Sequence, residues 1–464
     1  MPEIDDPSGA TPQLRQGLSQ RQLTMIAIGG IIGAGFFVGS GVVIGKAGPA
    51  AFLTYALCGV LIILVMRMLG EMATANPTTG SFAEYAREAL GGWAGFSVGW
   101  LYWYYWVIVV GFEAVAGAKV ITYWVPAPLW LLSLILMLSM TATNLLSVSS
   151  YGEFEFWFAG IKVAAIMLFL LLASMYAFGL WPHRHADLSN LHTHGGFFPN
   201  GLHGAFSAIV VVIFSMVGAE VATIAAAETP DPQRAVARAT NAVAARIAIF
   251  FVGSVFLLTV VMPWNLVQSG SSPFVTALKQ MGIPGADHVM NAVVLTAVLS
   301  CLNSGLYSAS RVLFVLAGQH EAPARMLAVS RRGVPYLAIV GSSVVGFLCV
   351  IMAGVAPNTV FQFLLNSSGA IVLLVYLLIA LSQIVLRRKT PPDKLLVKMW
   401  LFPALSILTV AGIAGVLVQM AFDSTARSQF WLSLLSWAVT VGLYLLTKRC
   451  STASGDVTFR GGAQ

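Results

Sequence analysis

The chain has 464 residues, of which 58% are hydrophobic and 9% charged, with a mean hydropathy of +0.83. A soluble domain carries about 25% charged residues, so this composition excludes a soluble enzyme or a soluble domain on one anchor and indicates a membrane protein. The formal net charge is +7, but the basic residues are scattered among loops, whereas nucleic-acid recognition would gather them on one face.

Residues 1–22 are polar and read as a cytoplasmic tail. The first apolar run covers 23–45, too long for the apolar core of a secretory signal. Further runs follow at 49–69, 93–120, 128–148, 154–178, 202–226, 239–262, 289–317, 336–356, 360–386, 399–422 and 430–446. Each is long enough for a spanning helix of about 20 residues, which makes about twelve crossings. Residues 447–464 read as a second cytoplasmic tail.

An internal N-terminus puts most basic residues on one side. Arg15, Arg21, Arg67, Arg87, Arg234, Arg238, Arg246, Arg311, Arg325, Arg331, Arg332, the 387–398 cluster, Lys448, Arg449 and Arg460 fall inside. Only Lys46, Lys119, Arg184, Lys279 and Arg427 fall outside. This asymmetry predicts both termini in the cytoplasm and an even number of spans.

Glycine interrupts the first and sixth runs. The first reads Ile28-Gly29-Gly30-Ile31-Ile32-Gly33-Ala34-Gly35-Phe36-Phe37 and the sixth Phe214-Ser215-Met216-Val217-Gly218-Ala219-Glu220. Broken backbone at bilayer depth is tolerated where it lines a cavity or is buried in protein. A matched pair of breaks points to a transporter's central site. Five spans per repeat is odd, so 23–178 and 202–386 would be inverted repeats forming a 23–386 core, with two further helices in 399–446. The fold class is an all-α membrane protein with spans 1 and 6 unwound. Packing through Gly29 and Gly33 is the structural alternative.

A half-helix that begins at the midplane offers free N–H groups to a carboxylate, and one that ends there offers carbonyls to an ammonium. A zwitterionic amino acid suits both ends. Charges inside the spans come next, because they are expensive in lipid. Lys162 in span 5 has no evident neutralising neighbour in sequence; it either exchanges a proton or snorkels to an interface. Glu113 is the one acidic residue of span 3, and Glu220 follows the second break. Each is a coupling or proton-sensing candidate, or a structural hydrogen-bonding group. Ser300, Asn303 and Ser304 form a polar stripe on span 8 that either meets Lys162 or joins helices. Glu153 and Glu155 are placed at the cytoplasmic interface, and Arg67 and Glu71, one turn apart, are expected to pair. The aromatic run from Trp100 to Trp106 reads as packing. His183, His185, His192 and His194 share an external loop and read as an exposed polar segment without regular metal-ligand spacing.

Of the four cysteines, Cys58, Cys301 and Cys349 lie within apolar runs and Cys450 in the tail, so no disulfide framework is expected. The sequence contains no Walker phosphate loop, HExxH, Gly-x-Ser-x-Gly or potassium-filter motif. Neither an enzyme nor a self-powered pump is therefore expected, and no cofactor or metal. A sensor would need a signalling domain, and a channel a continuous pore.

Particular blocks carry a family resemblance. They are Gly29 to Phe37, Thr143-Asn144-Leu145-Leu146-Ser147-Val148, Tyr151 to Trp157, Gly218 to Glu228, Cys301-Leu302-Asn303-Ser304 and Asn366-Ser367-Ser368-Gly369-Ala370. The chain resembles the amino acid–polyamine–organocation superfamily, in its bacterial amino acid transporter branch. The resemblance implies two inverted five-helix repeats plus two helices, and amino acid uptake driven by the proton gradient across the cell (inner) membrane. It implies a substrate carboxylate at Ile32, Gly33, Ala34 and Gly35, an amino group at Phe214, Ser215, Met216 and Gly218, and a cation-replacing role for Lys162. The third-span stretch from Val110 to Gly117 looks more like the GABA permeases than the aromatic permeases, and 4-aminobutyrate is the expected substrate. Asparagine, proline and aromatic permeases share many of these blocks, and an exchanger of the same fold stays open.

Overall fold

The computed structural model describes residues 25, 32–77, 81–146, 148–182, 187–221, 231–267, 271–391, 393, 395–424 and 426–457. At 81, 148–151, 357–362, 365, 366 and 449–457 only the backbone is described. Gly29, Gly30, His183, His185, the 222–228 block, the 1–22 tail and the side chain of Asn366 lie outside this set.

Among the described residues ten helical runs are long and apolar enough to cross a membrane, and no strand occurs. The helix pattern follows from the sequence. Long apolar stretches close their own backbone hydrogen bonds, the condition for lying in lipid, and Gly and Pro punctuate them. Span 3, Gly92–Ile121, begins after Gly91, whose φ of +102° suits glycine. It is the buried axis of the bundle and packs against Ala286–Gly318 (span 8), Tyr336–Val355 (span 9) and Pro357–Lys389 (span 10). The helices Leu129–Leu146, Val148–Ala177, Ala404–Phe422 and Arg427–Val457 lie outside this axis and turn Leu138, Leu168, Leu171, Leu408 and Leu443 outward. Apolar side chains exposed this widely on many helices face lipid, which makes the chain a multi-pass membrane protein.

The helix boundaries differ from the sequence reading in two places. The second half of the first crossing and the whole second crossing form one run, Ala34–Ala75, joined through the short turn Gly48–Ala50. The apolar helix of the sixth crossing, Gly201–Met216, stops at the expected glycine break, and residues 222–226 of that run lie outside the described residues. At the other end the last helix continues to Val457, into the stretch read as a tail.

The seventh crossing, Pro232–Val261, carries a wide π-helical turn at Ile247–Gly253. Ile247 seats on Gly59 of the second crossing, and Phe251 packs 4.5 Å from the ring of Phe36 and stacks on Tyr55 at 6.3 Å. At one end of the second crossing, buried Glu71 accepts hydrogen bonds from Gln383 Nε2 (2.7 Å) and the Met399 N–H (2.6 Å) and pairs with Arg387 (3.4 Å). Arg67 does not take the expected partner: it donates to the Lys398 carbonyl and to Asn241 and lies over the Trp400 ring. Glu71 points into the packing against span 10, whereas Arg67 lies on the polar rim.

Candidate functional site

In the first crossing Gly33 is extended and is followed by a short helix at Ala34–Phe37 and, after Val38, a second at Gly39–Ala47. The helix Ile209–Met216 stops at extended Val217, and Gly218 then adopts a φ of +113° that favours glycine. A helix start and a helix stop therefore lie side by side. A Cβ on Gly35 would come within 2.9 Å of the Phe214 ring and 3.2 Å of Ser215 Cα. Ile32, Gly33, Ala34, Gly35, Phe214, Ser215, Met216 and Gly218 are all buried.

The helix start is already capped. The Ala34 N–H donates to both oxygens of Glu113, at 3.1 and 3.2 Å. Glu113 is 1% exposed. Its carboxylate rests where the partial positive end of a helix suits an anion. Gly33 makes this approach possible: a Cβ there would meet Glu113 Oε1 at 2.7 Å and Cys301 Sγ at 2.8 Å.

The helix stop has its own carboxylate. Glu220 Oε2 accepts from the Gly218 N–H and the Tyr376 hydroxyl, both at 3.1 Å, and Oε1 accepts from the Tyr102 hydroxyl at 3.2 Å. Spans 3, 6 and 10 thus converge on one buried carboxylate. Tyr102 stacks on Tyr105, and Phe214 packs edge-on against Phe112 at 5.1 Å, so part of the aromatic run read as packing faces the break. The Ser215 hydroxyl donates back to the Val212 carbonyl.

Lys162 is fully buried, so it does not snorkel to an interface. Its ammonium donates to Ser300 Oγ at 2.7 Å, and Ser300 Oγ donates to Glu155 Oε1 at 2.6 Å. Glu155 lies 3.8 Å from Lys162 Nζ and is itself fully buried. This corrects its interfacial placement and the view that nothing in sequence neutralises Lys162. The missed signal is spacing: seven residues make two helical turns, which puts 155 and 162 on one face. Farther along span 8, Asn303 Oδ1 accepts from Asn144 at 2.7 Å. Ser304 is buried as well. Among the described residues no three His, Cys, Asp or Glu side chains group as a metal site.

Residues 22–449 match the amino acid permease family. The chain belongs to that family. This permease is 50% identical to the gamma-aminobutyric acid permease of Bacillus subtilis over 441 residues, covering 94% of each chain. It is 45% identical to the gamma-aminobutyric acid permease of Escherichia coli, covering 88% of this chain and 89% of the other. An aromatic amino acid transport protein of Corynebacterium glutamicum is 39% identical, covering 93% and 94%. Among solved structures, a manganese transporter mutant of Eremococcus coleocola shares the fold, with a TM-score of 0.58 at 13% identity, covering 92% of the permease and 93% of that chain. Family and fold together make the chain an amino acid transporter of the bilayer.

Proposed function

We propose that the permease imports 4-aminobutyrate with protons, by alternating access across the cell (inner) membrane, with both termini cytoplasmic. The observation that carries this is the neighbouring helix start at Ala34 and helix stop at Met216, each buried and each attended by a carboxylate. The relatives named gamma-aminobutyric acid permease support the substrate.

On this reading the substrate carboxylate takes the place that Glu113 occupies on the Ala34 N–H. Ile32, Gly33 and Gly35 supply the rest of the backbone around it. The substrate ammonium lies against the end of the helix at Phe214, Ser215 and Met216, beside Gly218. Glu220 holds the far side of that break through Tyr102, Tyr376 and the Gly218 N–H. Lys162 carries the coupled proton. Asn303 supports span 8 through Asn144, and Ser304 belongs to the same stripe. Two charges at opposite ends of a flexible chain match two opposed dipoles without a dedicated side-chain ion pair.

Labelled 4-aminobutyrate uptake into proteoliposomes tests this. Empty vesicles with only an inside-alkaline gradient should accumulate label, and excess unlabelled 4-aminobutyrate should block uptake better than asparagine, proline, phenylalanine or lysine. A requirement for internal amino acid would replace symport with exchange. Stronger competition by asparagine or phenylalanine would end the substrate assignment.

A further inference from the structure

We infer that Ser300 and Glu155 form a proton relay for Lys162, so that Glu155 is the group through which the coupled proton leaves toward the cytoplasm. The inference rests on the proton-coupled reading and adds two residues and a direction to it.

Three observations lead there. The direct Lys162–Glu155 separation is 3.8 Å, too long for a hydrogen bond, whereas the two links through Ser300 are 2.7 and 2.6 Å. A hydroxyl both accepts and donates, so it can receive one proton while passing on another. Among the described residues, the second oxygen of Glu155, Oε2, is buried with no hydrogen-bond partner. A buried ion pair kept for stability alone needs its remaining lone pairs satisfied; this one leaves an acceptor open. The third observation is position. Glu155 lies seven residues nearer the start of Val148–Ala177, about 10 Å along the helix axis, and the charge bias puts that end in the cytoplasm.

The transfer balances. The Lys162 ammonium gives a proton to Ser300 Oγ as one N–H bond breaks and one O–H bond forms. The original Ser300 O–H proton passes to Glu155 Oε1. The products are a neutral amine, an intact hydroxyl and a neutral carboxylic acid, with no change of oxidation state. Among the described residues, Glu113 on span 3 and Cys301 on span 8 also lie in electrostatic reach of Lys162. Neither bridges Lys162 to Glu155, whereas Ser300 bonds to both.

The test uses the full chain in proteoliposomes with a trapped pH dye and labelled 4-aminobutyrate. Two rates are compared in wild type, Glu155→Gln, Ser300→Ala and Ser300→Thr: gradient-driven accumulation with proton entry, and exchange of external for internal substrate, which requires no net proton release. In Glu155→Gln and Ser300→Ala, accumulation should fall about a hundredfold more than exchange, the scale of a positioned proton-transfer group. Ser300→Thr, which keeps the hydroxyl, should restore accumulation. Wild-type uptake should slow as the interior is acidified, and Glu155→Gln should lose that dependence. Equal losses of both rates would make the triad a structural pair and overturn the relay, as would normal accumulation in Glu155→Gln. Wild-type uptake with no proton entry would instead refute the coupling reading itself.

Discussion

Replacing Gly33 with alanine probes the paired helix ends at their tightest point. The added Cβ would lie 2.7 Å from Glu113 Oε1 and 2.8 Å from both Cβ and Sγ of Cys301. Carbon atoms settle about 3.5–4.0 Å apart, so groups on spans 3 and 8 must both withdraw. Glu113 can swing aside, but the Cβ of Cys301 is fixed to a helix and moves only with its backbone. Overpacking of this kind costs about 1–3 kcal/mol, equivalent to about 5- to 140-fold in an equilibrium constant. Affinity for 4-aminobutyrate should fall within that range, read by direct binding to purified protein alongside initial uptake rates. Gly33→Ala combined with Cys301→Gly removes two of the three clashing atoms and should recover part of the loss. Gly45→Ala is the control, because nothing lies within 4 Å of its added Cβ. Wild-type affinity and uptake in folded Gly33→Ala protein would show that the helix start is not a crowded binding edge.

Three more outcomes follow from the same geometry. Glu113→Gln leaves one acceptor oxygen where the Ala34 N–H now reaches two, a difference of about 1 kcal/mol, so a competing substrate carboxylate should bind about fivefold tighter by calorimetry; weaker binding would mean that Glu113 contacts the substrate directly. Lys162→Ala should lower the steady-state accumulation ratio far more than substrate affinity, and an unchanged ratio with unchanged pH dependence would remove Lys162 from coupling. Glu71→Ala strips the partner from Gln383, the Met399 N–H and Arg387 and should destabilise the protein by about 3 kcal/mol, seen as a lower thermal midpoint in detergent; an unaltered midpoint would show that Arg387 finds water instead.

Much of the architecture was legible in composition and punctuation. Apolar runs of spanning length predicted the helices because lipid permits little else, and the glycine clusters contain the extended Gly33 and the positive-φ Gly218. Side-chain partners brought together from different spans were harder to read. Glu113 lies 79 residues from the N–H that it caps, and no local pattern announces that meeting. Glu71 illustrates the opposite error: one-turn spacing suggested Arg67, but partners from span 10 and the following loop won because they lie on the side where Glu71 is buried. The Glu155–Lys162 link was within reach of sequence logic. Its place at the start of the apolar run suggests an interface for Glu155, whereas the helix face it shares with Lys162 decides its partner.

The wide turn at Ile247–Gly253 makes the seventh crossing unusually sensitive to length. Such a turn holds an extra residue within an otherwise regular helix, and removing any one residue from it would let the helix close up as an ordinary α-helix. The segments beyond would keep their register, because the wide turn had absorbed the extra residue, but the side chains within the turn would reset, moving Phe251 off Phe36 and Tyr55 while leaving the composition almost unchanged. A single-codon deletion here is thus a mechanical lesion in the aromatic wedge behind the first crossing, and the seven-residue stretch is fixed in number even where its lipid-facing members, such as Ile249, are free to vary.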